Sequence, residues 1–289
     1  MNKINDKILG HNSFYGINHI DYTKGQRKSL EFNSNINKII NLFEFALNKN
    51  INQFMTSTID ESYSLFDEIN KNHKFIKDKL EIHLLLPYIN KYVRKTNELG
   101  IAGTMKEIIG KSSFLKNIKY GFDTLSFLNN ASLEKLIPIL IDLEINYIKD
   151  FNLKSIILHD SLTDILIALK REDIILFYVD YIIEKYNSRP GFATKNLTSF
   201  INFTKNINLK NSYILTHVNK IGFEMHPSKK SVEQAINDSK FEIICMSVLA
   251  SGALELISAL NYLEGLNSNK LSTVIGCSTK KHIEEYANF

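Results

Sequence analysis

Three observations predict an α/β fold in which a parallel sheet closes into a single-domain (β/α)8, or TIM-type, barrel. Short apolar runs alternate with stretches of helical period about eight times along the chain, and eight is the number at which such a sheet closes on itself. The 289 residues are close to the ~250 of one such barrel. With four prolines, 12 glycines, no Gly/Ser linker and no charge block, residues 1–289 offer no place to divide the chain. The rival, an open doubly wound sheet, wants a glycine-rich turn after its first strand. Gly10-His11-Asn12-Ser13 is not that fingerprint.

The elements follow in order. Ile8–Leu9 opens the sheet. Ile36, Ile39, Ile40, Phe43, Ala46 and Leu47 recur at helical spacing, so one face packs inward. Ile51–Thr56 reads as a strand, Ser62–Asn70 as a helix, and Leu80–Leu86 as a strand buried on both faces. After an irregular stretch, Tyr92–Asn130, read as an insertion shaping the mouth, Leu133–Phe151 is helical and Lys154–His159 extended. Ile165–Tyr186 reads as one long helix and Pro190–Ala193 as a strand. Thr198–Lys205 is helical, and Tyr213–Phe223 contains a strand. Val232–Ser239, Ala253–Leu263 and Lys280–Ala287 are helices, alternating with strands at Phe241–Ser247 and Ser272–Gly276.

Composition narrows the function classes. Hydrophobic residues make up 44% and charged residues 23%, which excludes disorder as the main state. A net charge of +4, spread along the chain, gives no basic face for nucleic acid. The polar start argues against a signal peptide, and no apolar run approaches the ~20 residues of a membrane span. Two cysteines make no disulfide framework, so a reducing, cytoplasmic setting is expected. The expected partner is a small-molecule substrate.

Barrels of this kind do chemistry at the carboxyl ends of their strands. The residues there are His11, Asn12 and Tyr15; Thr56, Ser57, Asp60, Glu61 and Tyr63; Pro87 and Tyr88; His159 and Asp160; Thr194, Lys195 and Asn196; Glu224 and His226; and the last two turns. Those turns, Ser247-Val-Leu-Ala-Ser-Gly252 and Gly276-Cys-Ser-Thr-Lys-Lys281, lead into helices. Their hydroxyls, amides and nearby lysine suit a phosphate, with Ser247, Ser251, Gly252, Ser278, Thr279 and Lys280 as candidate contacts. Plain helix capping by Ser251, Ser278 or Thr279 explains the same residues. The spacing of His11, His19, His159, Glu224 and His226 matches no metal signature, so no metal site is expected. Cys245 reads as a buried small hydrophobe. Cys277, at a helix start, is placed to have a lowered thiol pKa.

Several segments, in order along the chain, resemble the aldo/keto reductase superfamily. Phe45–Ser57 resembles its helix-to-second-strand passage, and Ile156–Asp160 the strand that presents its catalytic His. Gly191–Asn196 resembles the segment holding the nicotinamide carboxamide. Glu242–Ala253 resembles the pyrophosphate loop, and Val274–Glu285 the final strand and adenosine-phosphate helix. The resemblance implies NADP as cofactor and carbonyl reduction by a Tyr acid tuned by Lys and Asp. This sequence departs from that set: Met55 stands for the Asp, Asp60 falls at about the Tyr position with Tyr63 one turn on, and Leu86-Pro87 replaces the Thr-Lys end. His159 alone is kept. Ala193 and Thr194 replace a Ser-Asn pair, Met246 a stacking aromatic, and Tyr286 an Asn near the adenine. A tyrosine without its lysine keeps a pKa near ~10 and is a poor acid at neutral pH.

Three functions are therefore carried forward. One is a divergent NADP-dependent oxidoreductase of a small carbonyl or sugar-like substrate, with His159 retained and Asp60, Glu61 or Tyr63 as the acid. A second is a lyase or isomerase in which His11, Asp60, Glu61, His159 and Glu224 form the acid/base pool and the late loops hold a substrate phosphate. The third is a catalytically silent barrel.

Overall fold

A computed structural model describes residues 4–15, 36–88, 133–268 and 270–289, with residues 92, 97–99 and 103 between them. Eight parallel strands pair in chain order and the eighth closes on the first. They are β1 Ile4–Gly10, β2 Gln53–Ser57, β3 Glu81–Leu86, β4 Asn152–Leu158, β5 Arg189–Thr194, β6 Tyr213–His217, β7 Glu242–Met246 and β8 Leu271–Ile275. The helices around them are α1 Ile36–Asn48, α2 Asp60–Asn72, α3 Lys74–Lys79, α4 Leu133–Ile145, α5 Asp160–Ala168, α6 Glu172–Tyr186, α7 Leu197–Thr204, α8 Lys229–Asp238, α9 Leu256–Glu264 and α10 Lys280–Asn288. This is the barrel the sequence predicts.

Two apolar layers hold it. Inside the barrel, Ile8, Met55, Ile157, Ala193, Tyr213, Leu215 and Ile244 pack on one another, with Leu85, Met246 and Val274 above them. Outside, the other face of each strand packs on the helices, which is why the strands read as near-continuous apolar runs. Tyrosines tie helices to strands through buried hydroxyls. Tyr178 of α6 donates to the Ile156 carbonyl at 2.7 Å. Tyr286 of α10 donates to the Thr273 carbonyl at 2.8 Å and accepts the Ile8 amide at 3.1 Å, stitching the β1–β8 seam where the barrel closes.

Differences from the sequence reading have local causes. β1 extends back to Ile4 through Asn5, Asp6 and Lys7, because Asp6 bonds Gln53 on β2 and Lys7 bonds the Ala287 carbonyl. The long helix expected over Ile165–Tyr186 is two helices. Lys170, at φ +54°, breaks it, and Arg171 precedes the second. β6 stops at His217 rather than continuing toward Phe223, since Asn219 turns the chain by bonding the Phe223 amide and carbonyl. His19 and most of Tyr92–Asn130 lie outside the described residues. Among those described, no helix is long and apolar enough to cross a membrane.

Candidate active site at the barrel mouth

A pocket of about 390 Å³ opens at the carboxyl ends of β1, β2, β3, β6, β7 and β8. Its floor is the top of the inner layer: Met55, Leu85, Leu215, Met246 and Val274. Its polar wall holds His11, Asn12 and Ser13 after β1, His217 at the end of β6, Ser247 and Ser251 after β7, and Ser278 and His282 at α10. A volume near the low end of ligand pockets suits a small metabolite.

The β1 end is fixed by a 3₁₀ turn over His11–Ser13, closed by the Phe14 amide on the His11 carbonyl at 2.8 Å. The register pairs Gly10 with Met55, which brings the His11 ring beside β2. His11 Nδ1 lies 3.3 Å from the Met55 carbonyl oxygen. A carbonyl only accepts, so Nδ1 carries the proton and Nε2 keeps its lone pair. Burial pushes the His11 pKa down to about 4, against a smaller upward pull from that hydrogen bond. His11 is therefore a neutral hydrogen-bond acceptor at physiological pH.

Across the pocket, β6 and β7 end side by side, with His217 in register with Met246. His217 Nδ1 and Ser247 Oγ are 2.9 Å apart. The turn that carries Ser247 is unusual in backbone: Ser247, Ala250 and Ser251 have φ of +54°, +45° and +59°, and Gly252 +93°. Non-glycine residues pay for this conformation, and such strain concentrates at functional sites. The Ala250 amide closes the turn on the Ser247 carbonyl at 2.8 Å.

The other half of the rim is built differently. His159 turns onto its own helix start: its Nδ1 lies 2.7 Å from Asp160, whose Oδ1 also accepts the Ser161 amide at 2.7 Å. Burial alone raises the Asp160 carboxyl, but its bond to His159 and the histidine's charge outweigh this and bring it down to about 2. Burial holds Asp164 above the usual range while it accepts Thr194 Oγ at 2.5 Å and the Lys195 amide at 3.1 Å. Lys195 and His226 flank Glu224 at 3.7 and 4.0 Å. None of these groups lines the pocket.

The candidates read from sequence thus divide. His11, Ser247, Ser251, Gly252 and Ser278 line one pocket. His159, Glu61, Tyr63, Thr279 and Lys280 do not. Glu61 is exposed. Tyr63 packs on Tyr147, ring centroids 4.0 Å apart and the planes tilted by 38°. Asp60 opens α2, and its side chain lies outside what is described. Thr279 caps α10 by accepting the His282 amide at 3.2 Å. Lys280 places its ammonium 5.5 Å from the Phe45 ring centroid, on α1. Burial raises the Cys277 thiol to about 12, reversing the expected lowering at a helix start. Among the described residues, no cluster of His, Cys, Asp or Glu is arranged to hold a metal ion.

His217 escaped the sequence reading because Tyr213–Phe223 was read only as containing a strand, with Glu224 and His226 as the residues after it, whereas the strand ends at His217. The signal that marks it is the turn former Asn219 two residues later.

The lining also bears on the implied NADP. A pyrophosphate and a 2′-phosphate are held by cations, yet no Lys or Arg lines the pocket among the described residues. The Tyr286 hydroxyl, at the adenine-side position, is fully buried and spent on the β1–β8 seam. The donor set does not match that cofactor. The chain matches no protein-family model and no curated protein sequence at a significant level.

Proposed function

We propose that this protein is an enzyme that moves protons on a small, carbonyl-bearing, sugar-like substrate, phosphorylated or not, in a lyase or isomerase reaction without hydride transfer. The order of the matching segments supports a divergent relative of the aldo/keto reductases that has kept the barrel and moved its chemistry from the β2–β4 rim to the β1/β6/β7 side. The observation that carries the reading is the His217–Ser247 pair at 2.9 Å in a pocket whose facing wall is a neutral histidine.

A substrate hydroxyl donates to His11 Nε2, which fixes its orientation. Ser247 Oγ then takes a proton from the substrate as its own proton passes to His217 Nδ1. The electron pair left behind moves toward the substrate carbonyl, and the enolate so formed recovers a proton from the same relay. Transfer of the α-hydroxyl proton to the former carbonyl oxygen, with return of the abstracted proton to the former carbonyl carbon, gives an isomer; re-formation of the carbonyl with expulsion of a β-hydroxyl or phosphate, which takes the proton held by His217, gives a lyase.

The test is solvent exchange. Small aldoses, ketoses and their phosphates are incubated with the protein in D2O and read by mass spectrometry. One deuterium enters a substrate of the panel without added nucleotide. A panel with no exchange, or NADPH binding in a calorimeter that Lys280→Ala abolishes, overturns the reading in favour of the silent or the redox barrel.

A further inference from the structure

We propose that Ser247 is also a covalent nucleophile, making the pocket an acyl-transfer site for short-chain carboxylic esters. This rests on the reading of the mouth as the reacting site, though not on a sugar as substrate.

Four features of the site combine. The Ser247 hydroxyl lies 2.9 Å from His217 Nδ1, within the reach an adjacent base needs to activate a hydroxyl. Ser247 is the first residue beyond β7 and sits at φ +54°, so the chain turns sharply at this residue at the pocket wall. The turn that follows leaves the Val248 and Leu249 amides without a hydrogen bond among the described residues, and both residues line the pocket. Two such donors beside a nucleophile are what a tetrahedral oxyanion requires. Finally, the apolar floor of Met55, Leu85, Leu215, Met246 and Val274 offers a short acyl chain an apolar surface.

The step balances as follows. Ser247 Oγ bonds to the acyl carbon while its proton passes to His217, and the carbonyl π pair moves onto oxygen, facing the two amides. The intermediate collapses, re-forming the carbonyl and breaking the bond to the alcohol, which leaves with the proton from His217. Water then attacks the acyl-serine with His217 again as base. The carboxylic acid departs and the Ser247 hydroxyl is restored.

The intact protein is treated with a fluorophosphonate probe and its peptides are mapped by mass spectrometry; hydrolysis of 4-nitrophenyl butyrate is followed in parallel. The adduct is expected on the peptide holding Ser247. His217→Gln should cut the labelling rate at least a hundredfold. Ser247→Gly, which suits the left-handed backbone and so preserves the fold, should lose labelling and ester hydrolysis. An unlabelled Ser247 in the wild type, or labelling that His217→Gln leaves intact, overturns the proposal. Exchange of sugars by a wild-type protein that takes no label sinks this inference alone. Labelling of Ser247 with no exchange supports it and sinks the sugar chemistry alone.

Discussion

The two ends of this barrel each bury a histidine, and they use it in opposite ways. At the amino-terminal end, His83 is fully consumed: Nδ1 lies 2.7 Å from Ser155 Oγ and Nε2 2.9 Å from Gln53 Oε1. The Gln53 amide in turn donates to Asp6 at 2.7 Å. Because the Gln53 amide nitrogen is the donor to Asp6, its oxygen is left to accept from His83, which orients the chain of bonds, Ser155 to His83 to Gln53 to Asp6. Arg189 lies over the Tyr213 ring at 3.4 Å and pairs with Glu242 at 2.8 Å, and Lys154 pairs with Glu81 at 2.8 Å. At the carboxyl end, His11 spends one nitrogen on a backbone carbonyl and faces the pocket. Both rings are held neutral chiefly by burial, His83 at about 3 with help from Lys154 and Arg189, and His11 at about 4. The depressed pKa is thus common to both. What separates a structural histidine from a working one is the hydrogen-bonding capacity left over after folding.

The largest test of that contrast is His217→Gln. Deuterium exchange should fall by about a hundredfold or more while the urea midpoint hardly moves, because general-base groups contribute to rate rather than to packing. His83→Leu should do the reverse, costing about 2–4 kcal/mol of stability by leaving Gln53 and Ser155 buried without their partner. A loss of exchange at unchanged stability in the His83 variant would erase the distinction.

Acid titration comes next. Both histidines bind their proton more weakly folded than unfolded, so the unfolded state takes up more protons below pH about 6.5. Their contribution to stability is therefore complete above that pH and declines as pH falls toward 4 and then 3. It amounts to roughly 3 kcal/mol or more for each ring. Denaturation midpoints measured from pH 7 to pH 4 should fall steadily, and His83→Leu should flatten the slope.

A smaller effect is expected from His11→Phe, which removes the acceptor but keeps a ring in the wall. KM should rise about tenfold, the worth of one buried hydrogen bond, with kcat changed less. Tyr286→Phe should cost about 1–2 kcal/mol in thermal or chemical denaturation, since the Ile8 amide loses its acceptor inside the seam. Smallest is Thr279→Ala. Losing the α10 cap costs about 1 kcal/mol and leaves substrate KM where it was, whereas a phosphate contact at Thr279 would raise it.

How far the site was legible follows from where each residue's partner lies. His11 and Ser247 stand directly after strands, and Ser251, Gly252 and Ser278 in the turns that follow strands; strand ends are visible as the points where an apolar run stops. His159 stands there too, yet its imidazole turns onto Asp160, the next residue, and serves the helix. Periodicity reports no side-chain direction, so the two kinds of strand end look alike in sequence. Tyr63 was lost to stacking on Tyr147, 84 positions away, and Lys280 to Phe45, far earlier in the chain. The polar start of β1 was missed because Asn5, Asp6 and Lys7 break the apolar pattern; their partners Gln53 and Ala287 are remote.

The sequence by itself determined the order and number of the strands, the helices between them, and hence the rim on which reacting groups must stand. Those are set by local apolar runs and turn formers acting over a few residues. Only closure of the barrel decided which rim residues share a pocket and which histidine nitrogens stay available. For His11 and His83, protonation and leftover bonding capacity depend on a carbonyl, hydroxyl or amide brought alongside by neighbouring strands, Met55 to His11, Ser155 and Gln53 to His83, while the β6–β7 register sets Ser247 beside His217.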